Sequence, residues 1–267
     1  MLVDEVILQH STRGMDILKK KHPKNYCKKA VKAFKKLEKG VVFLYTGFYV
    51  GGYAETDGPI GTYFLAKALN SLGYKSVVIT DKFCKDYFKE IETLYIPLEG
   101  YKEKYYEEII EEYNPICHFS IERCGKNIDG DYANLRGVSV REFTAPVDEL
   151  FKIGAKTKPT FAIGDGGNEL GMGNFADSVQ EYLSLTPCKI RSDFPIIATV
   201  SNWGAYGFIV YLERELLPSF EEVDEYLDFI VSLGSVDGVS KVNEKTVDGK
   251  KWKLEKKILS KLRKATK

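Results

Sequence analysis

Short apolar runs recur along the chain, and each stops abruptly at a glycine, a carboxylate or a Ser-Asn pair. They are VVFLYTGFY at 41–49, KSVVIT at 75–80, ICHFSIE at 116–122, PTFAIG at 159–164 and PIIATV at 195–200, with a weaker one at 93–97. Runs of this length without polar alternation suit strands covered on both faces. Helical patterns lie between them, as at 63–72 before Gly73 and at 102–113. Strand, loop, helix, strand is the grammar of the parallel βαβ unit. The predicted fold is therefore α/β, a mostly parallel central sheet with helices on both faces in three α/β/α layers. A short strand is expected at 138–143. With no repeat, low-complexity tract or linker, 1–267 reads as a single α/β domain. A basic helical segment at 1–39, broken at His22-Pro23, and a C-terminal amphipathic helix at 250–267 are expected to pack on it.

Composition narrows the function classes. The 39 Lys and Arg nearly cancel 38 Asp and Glu, so no overall field favours a polyanion, and no basic cluster is interleaved with aromatics for single strands. Nucleic acid and membrane are not expected partners. A small anionic substrate is, and a homo-oligomer remains open. The five cysteines are scattered without a CxxC pair, which writes neither a disulfide framework nor a zinc knuckle. With no signal peptide or presequence in MLVDEVILQH, the expected location is cytoplasmic. The uncharged stretch at 195–212 approaches the length of a membrane span, but Ser201 and Asn202 at its centre mark a buried strand, a polar turn and a buried helix.

Ligands of open parallel sheets bind outside the carboxyl ends of the strands. There the sequence sets Glu55 and Asp57, then Asp81, Glu122 and Asp129, then Asp165, Asn168 and Glu169, and last Ser201 and Asn202. Carboxylates gathered in one cleft repel unless they are protonated or neutralised by a cation. A set rich in oxygen and free of sulfur and histidine suits Mn2+ or Mg2+, with Ca2+ as the structural option, rather than Zn2+. The string IGDGGNELGMGN at 163–174 joins oxygen donors to glycines whose backbone N–H groups can cradle an anion. Gly166 and Gly167 are the candidates for that cradle. Asp57-Gly58-Pro59 also reads as a helix N-cap before a proline at the first helical position. Neither GxSxG nor HExxH occurs, which leaves acyl-enzyme hydrolysis without support.

ETDGP at 55–59, ERCGKNIDGDYANLRG at 122–137, IGDGGNELGMG at 163–173 and SNWGAYG at 201–207 together resemble the motifs of the D-glutamate cyclase C-terminal-domain family. The likeness runs from about residue 40 past 240 and includes VDG at 236–238 and again at 247–249. The resemblance implies acidic functional positions at Glu55, Asp57, Glu122, Asp129, Asp165 and Glu169, with Asp131 at one remove. Mitochondrial members resemble D-glutamate cyclases, which make 5-oxo-D-proline and carry a further hydro-lyase-like domain. Stand-alone members look like manganese-dependent phosphatases.

Three readings follow. The leading one is a metal-dependent phosphohydrolase in which Asp165, Glu169 and Glu122 act in catalysis. Glu55, Asp57, Asp129, Asp165, Glu169 and Glu122 hold the metal, which activates a water. Arg123, Gly166, Gly167, Asn168, Asn134, Ser201 and Asn202 contact the substrate, with Lys126 and Arg136 as further anion holders. The alternative is D-glutamate cyclase chemistry on the same residues. The third is a non-catalytic metal or metabolite binder.

Overall fold

A computed structural model describes residues 1–22 and 24–266. Pro23, where the sequence marks the N-terminal break, and Lys267, the last residue of the C-terminal segment, lie outside the described residues. Six strands form the central sheet: β1 (Val41–Tyr45), β2 (Lys75–Thr80), β3 (Glu92–Tyr95), β4 (Cys117–Ile121), β5 (Thr160–Gly164) and β6 (Phe194–Ile197). Every pairing is parallel, in the order β3-β2-β1-β4-β5-β6. This is the doubly wound order, with its switch point between β1 and β4, where a crevice opens beyond the strand ends.

The sheet residues alternate between two cores because a strand turns successive side chains to opposite faces. Phe43, Tyr45, Val77 and Ile79 pack with helices α5 (Glu103–Tyr113) and α6 (Val147–Gly154). Val42, Leu44, Val78, Phe119, Phe161 and Ile163 pack on the other face with α3 (Tyr26–Phe34), α4 (Pro59–Ser71) and α8 (Ser201–Leu212). The expected three-layer α/β/α arrangement is the observed one. Around it lie α1 (Val3–Val6), α2 (Met15–Lys21), the single turn α7 (Ala176–Ser178), α9 (Phe220–Ser232) and α10 (Lys253–Lys264). At 138–143, where a strand is predicted, the chain instead makes a 3-10 turn, Arg141–Phe143. It has no sheet edge to join there, and pairs only locally through an Ala133–Ser139 bridge.

The uncharged stretch at 195–212 resolves into β6, a turn and α8, all of whose helical residues are buried. Among the described residues no helix is long and apolar enough to cross a membrane. Helix α8 is apolar all round because it is enclosed by α4, α3, α1 and α10 as well as the sheet. Gly204 is what lets it approach β5, since a Cβ there would lie 2.5 Å from Cγ2 of Ile163. Gly204→Ala should therefore cost about 1–3 kcal/mol through overpacking, read as a lower urea midpoint with an unchanged m-value.

Candidate active site

Two helices begin at the crevice, and each is capped by a residue from the other's neighbourhood. Asp57 lies just before α4 but accepts from the first backbone N–H groups of α8, Ser201 N at 2.8 Å and Asn202 N at 2.8 Å. Asn202, in the first turn of α8, accepts from Gly58 N at 2.9 Å and Gly61 N at 2.7 Å in α4, and donates to Thr56 O. The expected N-cap role of Asp57 is thus transferred to the partner helix, and Gly58 occupies the cap position of α4 with φ 92°.

The remaining carboxylates gather around this crossed cap. Glu122, directly after β4, accepts from the Ser201 hydroxyl at 2.6 Å and sits in the left-handed region with φ 45°. Backbone strain in a buried polar residue at a crevice is a mark of a functional position. Asp165, directly after β5, accepts from Arg13 Nη1 at 2.6 Å, and the other arm of that guanidinium reaches Asp248 Oδ1 at 2.7 Å. Asp57, Glu122 and Asp165 each bring one oxygen into a group whose members lie within 4.8 Å of one another. The buried carboxyls of Asp165 and Asp248 meet in a hydrogen bond that needs a proton on one of them. Glu55 stands beside the group, packed so tightly on Gly238 that a Cβ there would fall 1.6 Å from its Oε2.

Burial dominates the electrostatics. It pushes Glu55, Asp57, Glu122 and Asp248 well above the usual carboxylate range, and their mutual repulsion adds to it. Asp165 is pushed up to about 7, with burial outweighing the nearby Arg13 charge. Burial works against the Arg13 charge too, but Asp165 and Asp248 outweigh it and hold the guanidinium above its ordinary value. The site is a set of carboxyls poised to hold protons or to surrender them to a cation.

A cavity of about 340 Å³ opens onto this cluster, lined at its floor by Glu55, Glu122, Arg13 and Asn168. Asn134 and Arg136 also line it. The Asn134 side-chain oxygen Oδ1 is engaged by the N–H groups of Arg136 and Val138, and the Asn168 side-chain amide donates to Ala133 O.

Several predicted site residues do other work. Arg123 is fully buried, bonded to Asp81 at 2.7 Å and to the carbonyls of Gly47 and Ala145. It ties three loops together and does not line the cavity. Asp129 is exposed in a turn away from the cluster. Glu169 has both oxygens engaged by the loop's own N–H groups, those of Asp165, Gly166 and Gly167. That leaves those glycines without free donors for an anion, so the predicted cradle is filled from within. His118 is a packed core residue, bonded to the Tyr45 hydroxyl and lowered to about 3 by burial. Sequence reasoning missed Arg13 and Asp248. Asp248 belongs to the second VDG, in the turn of a two-residue hairpin, with φ 56°. The first VDG supplies Asp237, which accepts from Val239, Ser240 and Gly249 N–H groups and so holds the loop beside Glu55.

Fold and site together define a doubly wound α/β protein with a buried acidic cleft at the sheet's switch point. The sequence profile of the D-glutamate cyclase-like, C-terminal family matches residues 3–263, and the chain belongs to that family. The human protein "D-glutamate cyclase, mitochondrial" is 40% identical over 94 residues, 33% of this chain and 15% of the relative. The aligned stretch thus spans a small part of the relative's length. Among solved structures, the Bordetella bronchiseptica enzyme WbmH in complex with NAD+ is 13% identical with a TM-score of 0.33, covering 75% of this chain and 65% of that one. The epimerase Mth375 of Methanothermobacter thermautotrophicus is 10% identical with a TM-score of 0.33, covering 61% and 53%. Likenesses this weak carry no argument. The family and the human relative correct the leading expectation: both are of the D-glutamate cyclase kind, and the phosphatase, the hydrolase class and manganese find no support in them.

Two outcomes follow from the geometry. Arg123→Met leaves Asp81 buried and unpaired, and should cost about 3–5 kcal/mol in urea denaturation. The second concerns pH. Asp165 and, in α10, Glu255 are each pushed up to about 7, so the folded chain keeps protons that the unfolded chain releases. Their stabilising contribution is complete below the unfolded value near 4 and is lost as pH rises through about 7. The Tm measured in chelator should fall between about pH 5 and pH 8, and Asp165→Asn should flatten that slope. An unchanged slope in the variant would show that Asp165 is already ionised.

Proposed function

We propose that this chain carries out ring closure of an amino dicarboxylic acid, D-glutamate giving 5-oxo-D-proline with loss of water. One observation carries the reading: the cavity floor sets two buried, proton-retaining carboxyls, Glu55 and Glu122, beside the Arg13 guanidinium. Membership of the family and the name of the human relative support it.

The chemistry asks for that pairing. The α-amine nitrogen attacks the γ-carboxyl carbon, the ring C–N bond forms, and one γ-oxygen departs. The ammonium gives up two protons and the departing oxygen takes up two, so no net proton leaves the site. Two coupled carboxyls that pass a proton in either direction serve such a transfer. Glu122, with one oxygen fixed by the Ser201 hydroxyl, is assigned to this exchange together with Glu55: each gives the proton it holds to the departing oxygen and takes one from the amine. Arg13 at the floor, with Arg136 and Lys241 at the mouth, holds substrate carboxylate by charge-assisted hydrogen bonds.

The same residues fit a hard divalent cation. Asp57, Glu122 and Asp165 supply clustered oxygens, and a cation there would take the place of the protons that these buried carboxyls keep. Bound there, the cation would polarise the carboxyl under attack. The protein's own groups orient the amine and move the protons.

The test is incubation of the purified chain with D- and L-glutamate, with and without Mg2+, and separation of 5-oxoproline by chiral chromatography. Turnover of the D enantiomer is expected. Glu122→Gln should lower kcat by about 10²–10⁴-fold with the circular dichroism spectrum unchanged. No 5-oxoproline from either enantiomer would reject the reading.

A further inference from the structure

The lining of the cavity combines buried carboxyls with exposed apolar side chains. Glu55 and Glu122 are each under one tenth exposed, whereas the mouth, beside Arg136 and Lys241, carries apolar side chains left in water: Val138 at 58%, Val239 at 43% and Phe143 at 38% exposure. Phe143 stacks on Tyr49, which also lines the cavity, with ring centroids 4.3 Å apart and planes 11° from parallel. These side chains come from three separate segments, the loop after β1, the irregular stretch before α6 and the loop after α9. Exposed apolar groups that converge on one opening mark a surface meant to be covered. At about 340 Å³ the cavity also falls in the size range of drug-sized ligands, roughly 300–1,000 Å³, which leaves space beyond glutamate.

The floor adds a second constraint. Asp57, Glu122 and Asp165 crowd together, with Asp248 and Glu55 beside them. A substrate that enters with two free carboxylates sets one of them against this cluster, where Arg13 is already engaged by Asp165 and Asp248. A substrate whose γ-carboxyl is masked as a neutral amide does not, and its carbonyl is the better electrophile.

We propose that the preferred substrate is a γ-glutamyl amide whose amine bears an apolar or aromatic group, the glutamyl end at the acidic floor and the apolar group among the apolar side chains at the mouth. The assignment rests on the ring-closing reading above and narrows its substrate class. The α-amine nitrogen attacks the γ-carbonyl carbon, the ring C–N bond forms, and the C–N bond to the outgoing amine breaks. The proton lost by the α-amine passes to the outgoing nitrogen. Products are 5-oxoproline and the free amine, with no change of oxidation state and no co-reactant.

The experiment compares D- and L-γ-glutamyl anilides with D- and L-glutamate on the full chain, following aniline by absorbance and 5-oxoproline by chiral chromatography. The expected result is a kcat/KM for one anilide at least about tenfold above that for glutamate. Val138→Asp and Val239→Asp, each in an exposed position that tolerates a polar side chain, should raise the anilide KM by about tenfold while circular dichroism is unchanged. Glutamate turned over as well as the anilides, or an anilide KM indifferent to both substitutions, would overturn the substrate class and leave ring closure standing. No 5-oxoproline from any of the four, or aniline released without it, would overturn ring closure itself and this assignment with it.

Discussion

Asp57 and Asn202 each close the helix that the other one opens, and the rest of the cleft depends on that exchange. An α-helix leaves its first N–H groups unpaired, and their partial positive charge makes the N-terminus a place where a carboxylate is stabilised. By trading caps, α4 and α8 are fixed side by side with their N-termini together beside the switch point, both positive ends turned toward the ends of β1 and β4. Ser201, whose N–H belongs to the exchange, fixes Glu122 with its hydroxyl. The acidic residues stay buried because two helix ends and one guanidinium stand in for the water they have lost. The same exchange keeps them short of full neutralisation, which leaves Glu55 and Glu122 able to carry protons.

The architecture was legible because parallel sheets write themselves plainly. Five apolar runs with abrupt ends predicted the strands, and the position of acids after β1, β4 and β5 predicted where the cleft would lie. Local grammar also predicted Pro59 at the first position of α4. What it could not predict was partnership. ETDGP looks like a self-contained cap, and only the three-dimensional crossing sends Asp57 to α8. Glu169 and Asp165 are indistinguishable as carboxylates of one glycine loop, yet a four-residue separation lets Glu169 fold back on its own backbone while Asp165 faces Arg13. Arg123 beside a cysteine and a glycine reads as an anion holder, but the side chain passes inward to Asp81. In each case the residue type was informative and its direction was not.

Arg13 and Asp248 were hidden for a different reason. Neither follows a strand of the sheet, so the rule that finds ligands at strand ends passes over both. They come from opposite ends of the chain, Arg13 from the loop after α1 and Asp248 from the hairpin before α10. Those ends are themselves joined: α1 packs on α10 and on α8, and Leu2 bridges Thr266. Trp203 in α8 donates to the buried Glu255 of α10 at 2.6 Å, and the Tyr211 hydroxyl donates to Asp4 of α1 at 2.6 Å. The terminal helices, which the sequence presents as basic surface packing, are thus clamped on the helix whose first turn forms the site.

This arrangement makes the neutralising guanidinium a tertiary property rather than a local one. A cation supplied from the sheet would be present whenever the sheet is formed. Arg13 reaches Asp165 and Asp248 only when both terminal segments are docked, so the unpaired carboxylates would repel one another in any state that lacks those segments. Docking of the termini on α8 and closure of the acidic cleft are therefore one cooperative event, in which apolar burial along α8 offsets the cost of gathering the charges. The near balance of acids and bases over the whole chain conceals this division, because most of the lysines remain in solvent while one arginine answers a buried cluster.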